Sequence, residues 1–586
     1  MINKTLLATL VLPALAVLFT GCGGGASLPP AVVNLAVQLA ASSLLASQDG
    51  TAVSLPVTID HPAGVGNVTL TVTGAPAGMA VTVQSPGSGT TGSVTFAVAQ
   101  PAAAAAGDYP VKITASDGSV SGSATVTLTV AIAAVVTPAV TGSWKAALST
   151  SFQPASWDYQ FFQKNPGATT PLTALAPQHI RLQGLEKAVP EQQAGVWDFS
   201  MLDAIVQPVL ASADHSPEFQ IAVAPPYLND SAGHLLPANF AAFADYCVQL
   251  VKYYNTGGFD AQGKHFQSPS PNPIVWWGIF NEPNINGLSA SQYVQLYNQV
   301  VPAMLAADPR IHFAAVELAD FGTEASKYIP TFIAGVTAPV DVLATHFYSS
   351  CNQHDADQAL LGQVPFFASD TAYIKQQLAT VPALAKVPVW ITENNVNADF
   401  GNNGISVCNG GAFTVDKRGT SAFFAGWRPY VLVETARAGS EALYHWEFAA
   451  DQQYGELNGD TAQLYLSYWV DRELSQWLPV GAQVLTLAAT ETATVELLAV
   501  QLADRSVVVL AANHAVAAPG DNNGLGAPRS VVVDVGALGA FSAAEQLTLD
   551  ATTDPSKTPS MAAVPLAAHM TVSLKGYGVT FLHLKP

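Results

Sequence analysis

The chain reads as a multidomain protein built around a central (β/α)8 TIM barrel, with one β-sandwich before it and another after it. Three observations predict this. Its 586 residues exceed what one compact core organises, so several domains are expected. Strand-like runs alternate with amphipathic helical runs between residues 143 and 478, the pattern of a parallel sheet. On either side, at 35–133 and 479–586, short alternating apolar runs are separated by turn residues, with hardly any helical period.

The N-terminal segment reads as an address. Lys4 precedes an apolar run that, at about 14 residues, is too short to span a bilayer and suits the core of a signal peptide. The sequence LFTGC at 18–22 resembles the bacterial lipobox, with Phe19 where leucine is usual. That resemblance implies export, cleavage of a signal over 1–22 and lipidation at Cys22, with 23–34 as a Gly/Pro-rich tether. The protein would then sit on a bacterial cell envelope, at the outer membrane or cell surface, touching membrane only through its lipid. A plain secretory signal is the alternative.

In the first sandwich, candidate strands lie at 53–59, 68–72, 94–98, 109–114 and 124–130, and the run GDYPVKITA at 107–115 resembles bacterial immunoglobulin-like modules. Few aromatics occur here, which favours a spacer over a sugar-binding module. Residues 131–142, rich in Ala, Val, Thr and Pro, read as a linker. Eight barrel strands are expected at 144–148, 179–182, 219–223, 274–281, 311–317, 342–347, 387–393 and 442–446, with helices between them such as 291–301 and 373–379. The second sandwich has strands at 495–502, 506–513, 530–535, 545–549 and 578–584. No period of about 20 to 50 residues repeats, which disfavours a solenoid or propeller.

Composition narrows the partners. A net charge of −20 with only 22 Lys plus Arg and no basic cluster excludes nucleic acid, whose binding rests on cations displacing counterions. A neutral glycan fits such a surface. Of the four cysteines, Cys351 follows the sixth strand and Cys408 lies in the loop after the seventh. Both loops should leave one face of the barrel in an oxidising compartment, so a Cys351–Cys408 disulfide is expected, with two unpaired thiols as the alternative. Cys247 reads as a small buried apolar residue. No CxxC or HExxH spacing exists, so no metal is expected.

The chemistry is carried by IVWWGIFNEP at 274–283 and VPVWITENN at 387–395, which deliver Glu282 and Glu393 to the ends of the fourth and seventh strands. Paired carboxylates on separate strands are what glycosidic bond cleavage by double displacement requires: one acid for the leaving oxygen, one nucleophile for the sugar. Trp276, Trp277, Ile279 and Phe280 predict a dry setting that raises the Glu282 pKa, while Thr392, Asn394 and Asn395 predict a polar one that keeps Glu393 ionised.

These motifs, with HIRLQG at 179–184, VDVLATHFY at 340–348, YVQLY at 293–297 and DPR at 308–310, resemble clan A glycoside hydrolases, most closely family 39, over residues 143–480 and into the C-terminal sandwich. The resemblance implies a retaining β-glycosidase acting on a poly- or oligosaccharide, with Glu282 as acid/base and Glu393 as nucleophile. Asn281 would bond the sugar 2-hydroxyl, His346 and Tyr348 would orient the nucleophile or ring, Trp446 would be the sugar platform and Arg181 would hold the nucleophile ionised. Gln183 departs from the usual histidine of the family, and Glu447 is an extra acid beside Trp446. No organic cofactor or metal is implied, since the mechanism needs carboxylates and water. A non-catalytic glycan-binding lipoprotein on a barrel scaffold is the competing reading. Sugar identity, linkage, endo or exo action and oligomeric state are left open.

Overall fold

The computed structural model describes residues 35–60, 66–153, 158–175, 179–183, 188–212, 217–319 and 323–586. The signal segment, the tether and Cys22 lie outside them. Eight parallel strands close into a barrel: β1 (Ala147–Phe152), β2 (Arg181–Leu182), β3 (Glu218–Ile221), β4 (Trp276–Ile279), β5 (His312–Leu318), β6 (Val342–Ser350), β7 (Val389–Asn397) and β8 (Ser440–His445). Each pairs in parallel with the next and β8 pairs with β1. Every residue of β7 is buried, as strands covered on both faces require.

The barrel interior is layered. One layer is apolar: Ala147, Ala314, Val342, Ala344, Trp390, Ala442 and Tyr444, with Trp276 packed against them. The His179 ring stacks on Trp390 at 5.5 Å within it. The other layer is polar and fully buried, formed by Arg181, Glu218, Gln220, Glu317, Thr345 and Thr392. Gly278 of β4 makes room for it, because a Cβ there would lie 2.7 Å from the Gln220 amide nitrogen.

Two registers differ from those the sequence predicts. β4 stops at Ile279, so Glu282 lies beyond the strand, and β7 runs on to Asn397, so Glu393 lies within it. The expected first strand, 144–148, is displaced to Ala147–Phe152.

Residues 131–142 form no linker. They belong to one strand, Ser121–Ser143, whose first half pairs with Gly107–Ser116 and whose second half pairs with Gln483–Ala489 and Arg529–Asp534. The reason is burial: Ile132, Ala134 and Val136 face the C-terminal apolar core beside Leu497, Val509 and Val531. Apolar Ala/Val composition was read as linker where it is core.

At the N-terminal end, a four-stranded sheet and the sheet containing Ser121–Ser143 share a cluster including Leu55, Val57, Phe96, Ile113 and Leu128. The C-terminal sheet turns Leu510, Leu549, Val579 and Phe581 towards the barrel, where they join the same apolar cluster as the barrel helices. Helix Ala422–Ala438 packs so tightly there that a Cβ on Gly426 would lie 2.4 Å from the Asn513 carbonyl oxygen. Among the described residues no helix is long and apolar enough to cross a membrane.

Candidate active site

Strand register breaks at the barrel mouth, beside charged side chains. The β5–β6 pairing shifts between Ala315 and Leu318, β6–β7 between Thr345 and His346, and β7–β8 between Ile391 and Asn394. Such irregularities re-aim the side chains next to them. Here those are Glu317, His346 and Glu393. Val316 and Glu317 take left-handed φ values of 83° and 48°, a conformation costing on the order of 1–3 kcal/mol. It is held by the Val316 N–H donating to Tyr293 Oη at 2.8 Å. Glu282 is left-handed too, at φ 47°, and its N–H donates to the Glu317 carbonyl at 3.0 Å.

Arg181 is the hub. Its Nη1 donates to Glu393 Oε1 and to Gln183 Oε1, both at 2.8 Å, and its Nη2 donates to Asn281 Oδ1 at 2.8 Å and Glu317 Oε2 at 3.0 Å. Tyr348 Oη donates to Glu393 Oε2 at 2.8 Å. His346 lies between the two glutamates of interest: Nδ1 is 2.9 Å from Glu282 Oε1 and 3.5 Å from Glu393 Oε2, and Nε2 is 3.1 Å from Glu317 Oε2. One oxygen of Glu282, one of Glu393 and one His346 nitrogen all lie within 4.8 Å of one another. The structure therefore brings Glu282, Glu393, Asn281, His346, Tyr348, Arg181 and Gln183 into one connected cluster.

Burial alone favours a neutral His346 ring, yet Glu393, Glu282 and Glu317 push its pKa up to about 9, so it is a cation at neutral pH. Glu393 is driven up by burial, while His346 and Arg181 oppose the rise. Against the same penalty of burial, Arg181 and His346 hold Glu317 well below the usual carboxylate range. Burial and the Glu317 charge push Glu218 well above that range. Burial raises Tyr348, and the Glu393 charge raises it further, which keeps it a donor.

The settings predicted for the two glutamates are corrected. The aromatics beside Glu282 in sequence turn elsewhere: Trp276 packs on Trp390 inside the barrel, Trp277 on Phe219, and Phe280 on Phe243. The polar neighbours of Glu393 also bond elsewhere, Thr392 to Glu317, Asn394 to the Phe347 carbonyl and Asn395 to the Trp446 carbonyl. Consecutive strand residues point to opposite faces, so sequence neighbours are not neighbours in the site. Trp446, partly buried, follows β8, and Glu447 accepts from the Gln153 N–H at 2.7 Å. Glu317 and Glu218 were not anticipated, though each is an acid within an apolar strand run, and that is the signal they give.

Cys351 and Cys408 are joined, with Cα atoms 5.8 Å apart, and Cys247 is buried in helix Phe240–Asn255. Glu282, His346 and Glu393 are metal-ligand types, with one ligand atom of each within 4.8 Å of the others. A second group, His445, Glu456 and Asp471, already has a cation: Arg428 Nε lies 3.0 Å from Asp471.

No protein-family model matches this chain, and no curated protein is similar to it. Solved structures do resemble it. A monomeric β-xylosidase from Caulobacter crescentus CB15 superposes with a TM-score of 0.55 at 15% identity, covering 78% of this chain and 100% of its own. An α-L-arabinofuranosidase from Thermotoga maritima gives 0.56 at 12%, covering 78% and 100%. A GH51 arabinofuranosidase from Xanthomonas axonopodis pv. citri gives 0.53 at 13%, again over 78% and 100%. At such identities the likeness is one of fold: this chain has the TIM-barrel architecture of those glycoside hydrolases.

Proposed function

We propose that the protein is a retaining β-glycosidase acting on a poly- or oligosaccharide, with Glu393 as nucleophile and Glu282 as acid/base. The observation that carries this is the approach of the Glu282 and Glu393 carboxylate oxygens to within 4.8 Å. Retaining enzymes keep their carboxyl groups about 5–5.5 Å apart, whereas inverting ones leave roughly 6.5–9.5 Å for a water. Glu393 Oε1 is held by Arg181 and Oε2 by Tyr348, which fixes the carboxylate for attack at the anomeric carbon. The leaving oxygen takes a proton from the Glu282–His346 pair. A water then gives its proton back to Glu282 and releases the sugar from Glu393.

Asn281, with Oδ1 held by Arg181, is assigned to the 2-hydroxyl of the bound sugar, and Trp446 to its apolar face. Similarity to a β-xylosidase and two arabinofuranosidases makes pentose-containing plant glycans the first substrates to try.

Glu282→Gln and Glu393→Gln are each expected to lower kcat on aryl β-glycosides at least about a hundredfold. NMR of the first-formed product should show the β anomer. Wild-type rates in both variants, or an α product, would refute the assignment. Attachment through a lipidated Cys22 belongs to the same reading. Cys22→Ser should shift the protein from the membrane fraction to the soluble one.

A further inference from the structure

A groove of about 620 Å³ lies apart from Glu282 and Glu393, within the range of pockets that hold small ligands. It is walled by Asn165 and Thr170 from the segment after β1, Thr461 and Leu464 from the segment after β8, Arg472 of helix Leu466–Trp477, and Thr558 of the C-terminal domain. Segments that follow barrel strands emerge at the C-terminal, catalytic face. Asn165, Thr461 and Leu464 come from such segments, and Tyr468, Trp469 and Arg472 from the helix that follows the second of them. The segment that begins with Trp446 and Glu447 at the mouth is the one that reaches Thr461 at the groove.

The lining selects for a neutral, hydroxyl-rich ligand with apolar faces. Arg472 is the sole charged residue that lines it, and its guanidinium is already engaged, 2.6 Å from Glu473 and 5.3 Å from the Trp469 ring. An anion finds no free cation. Asn165 lines the groove, and its amide nitrogen has no hydrogen-bond partner among the described residues. Threonine hydroxyls beside Leu464 and Trp469 offer the mixture of polar and apolar contact that a sugar ring presents in return.

We propose that this groove binds a distal stretch of the glycan chain whose scissile bond lies between Glu282 and Glu393, so that the protein engages polymers through two sites. This rests on the glycosidase reading and assigns its substrate class as chains longer than those the mouth alone accommodates. Ala174, exposed on helix Thr169–Leu175 at the groove wall, gives a way to fill it.

The test is native affinity electrophoresis in gels containing soluble arabinoxylan, xyloglucan or mixed-linkage β-glucan, run with wild type, Ala174→Trp and Asn165→Ala, all checked for equal melting temperature. Wild type should be retarded by at least one glycan and Ala174→Trp about tenfold less strongly, with Asn165→Ala intermediate. On the retarding polymer, kcat/KM of Ala174→Trp should fall through KM, while turnover of a p-nitrophenyl β-glycoside stays within about twofold. Equal retardation of wild type and both variants, or none with any of the three glycans, would overturn the groove assignment. Failure of the glycosidase reading shows separately, as absence of turnover of every aryl β-glycoside by wild type.

Discussion

His346 is a single imidazole answering to three carboxylates on three different barrel segments. Glu282 and Glu393 face Nδ1 and Glu317 faces Nε2, and no solvent screens them because the ring is fully buried. Its folded pKa of about 9 stands above the ordinary value, so the stability it contributes is fully present below about pH 6.5 and lost as pH rises through about 9. By linkage the loss is roughly 3 kcal/mol, read as a fall in denaturation midpoint between those pH values. His346→Gln should flatten that slope and remove the alkaline limb of the pH–rate profile; an unchanged slope would show that the ring is neutral. Glu282 and Glu393 are legible in the sequence because each is the one acid in a motif built on a buried apolar strand, Glu282 just past its strand and Glu393 within it. Glu317 was not, because its place in the site depends on a bulge at Val316 and on barrel closure bringing β2, β5 and β6 together.

Elements were legible wherever one pattern held over a whole segment. The alternating strand and helix runs mark all eight barrel strands, some of them displaced by a few residues. The first half of strand Ser121–Ser143 is legible as the run at 124–130, but its continuation is not, because it pairs with distant segments and its Ala/Val-rich composition resembles a spacer until those partners are known. At the mouth, the Cys351–Cys408 bond ties the loop after β6 to the loop after β7 across 57 residues of sequence. Closing a loop of that length in the unfolded chain is worth roughly 4 kcal/mol. The double variant Cys351→Ser, Cys408→Ser should therefore lower unfolding free energy by about 2–4 kcal/mol in urea titration, and wild type under reductant should behave the same way. The rim has its own support nearby: Asp357 accepts from the N–H groups of Asn523 and Gly524, at 2.7 and 2.8 Å, and Arg418 Nη1 lies 3.3 Å from it. Folding should thus survive the loss of the disulfide.

At the scale of the whole molecule, the boundary near residue 479 separates two folds but not two cores. Leu498, Val500, Leu510, Ala512, Leu549 and Phe581 of the C-terminal sheet are buried in the cluster that also contains Phe424, Trp427, Val431 and Leu474 of the barrel. Helix Ala422–Ala438, which runs between β7 and β8, lies against that sheet with Gly426 at the closest approach. Removing residues 479–586 would uncover the barrel surface covered by five large or mid-sized apolar side chains and Ala512, along the very helix whose Arg428 donates to Asn394 of β7 at 2.6 Å. Burial of each of the five larger side chains is worth about 1.5–3 kcal/mol, so the lost contacts, roughly 7–15 kcal/mol together, are comparable with the roughly 5–15 kcal/mol by which a domain is stable. A chain ending at residue 478 should therefore be insoluble or molten, with weak near-ultraviolet dichroism and no turnover, and co-expression of 479–586 as a separate chain should restore both only where the first chain keeps Ser121–Ser143, the strand that pairs with Gln483–Ala489 and Arg529–Asp534. A soluble, cooperatively melting barrel ending at 478 would show instead that the barrel carries its own core, and that the C-terminal sheet only covers it.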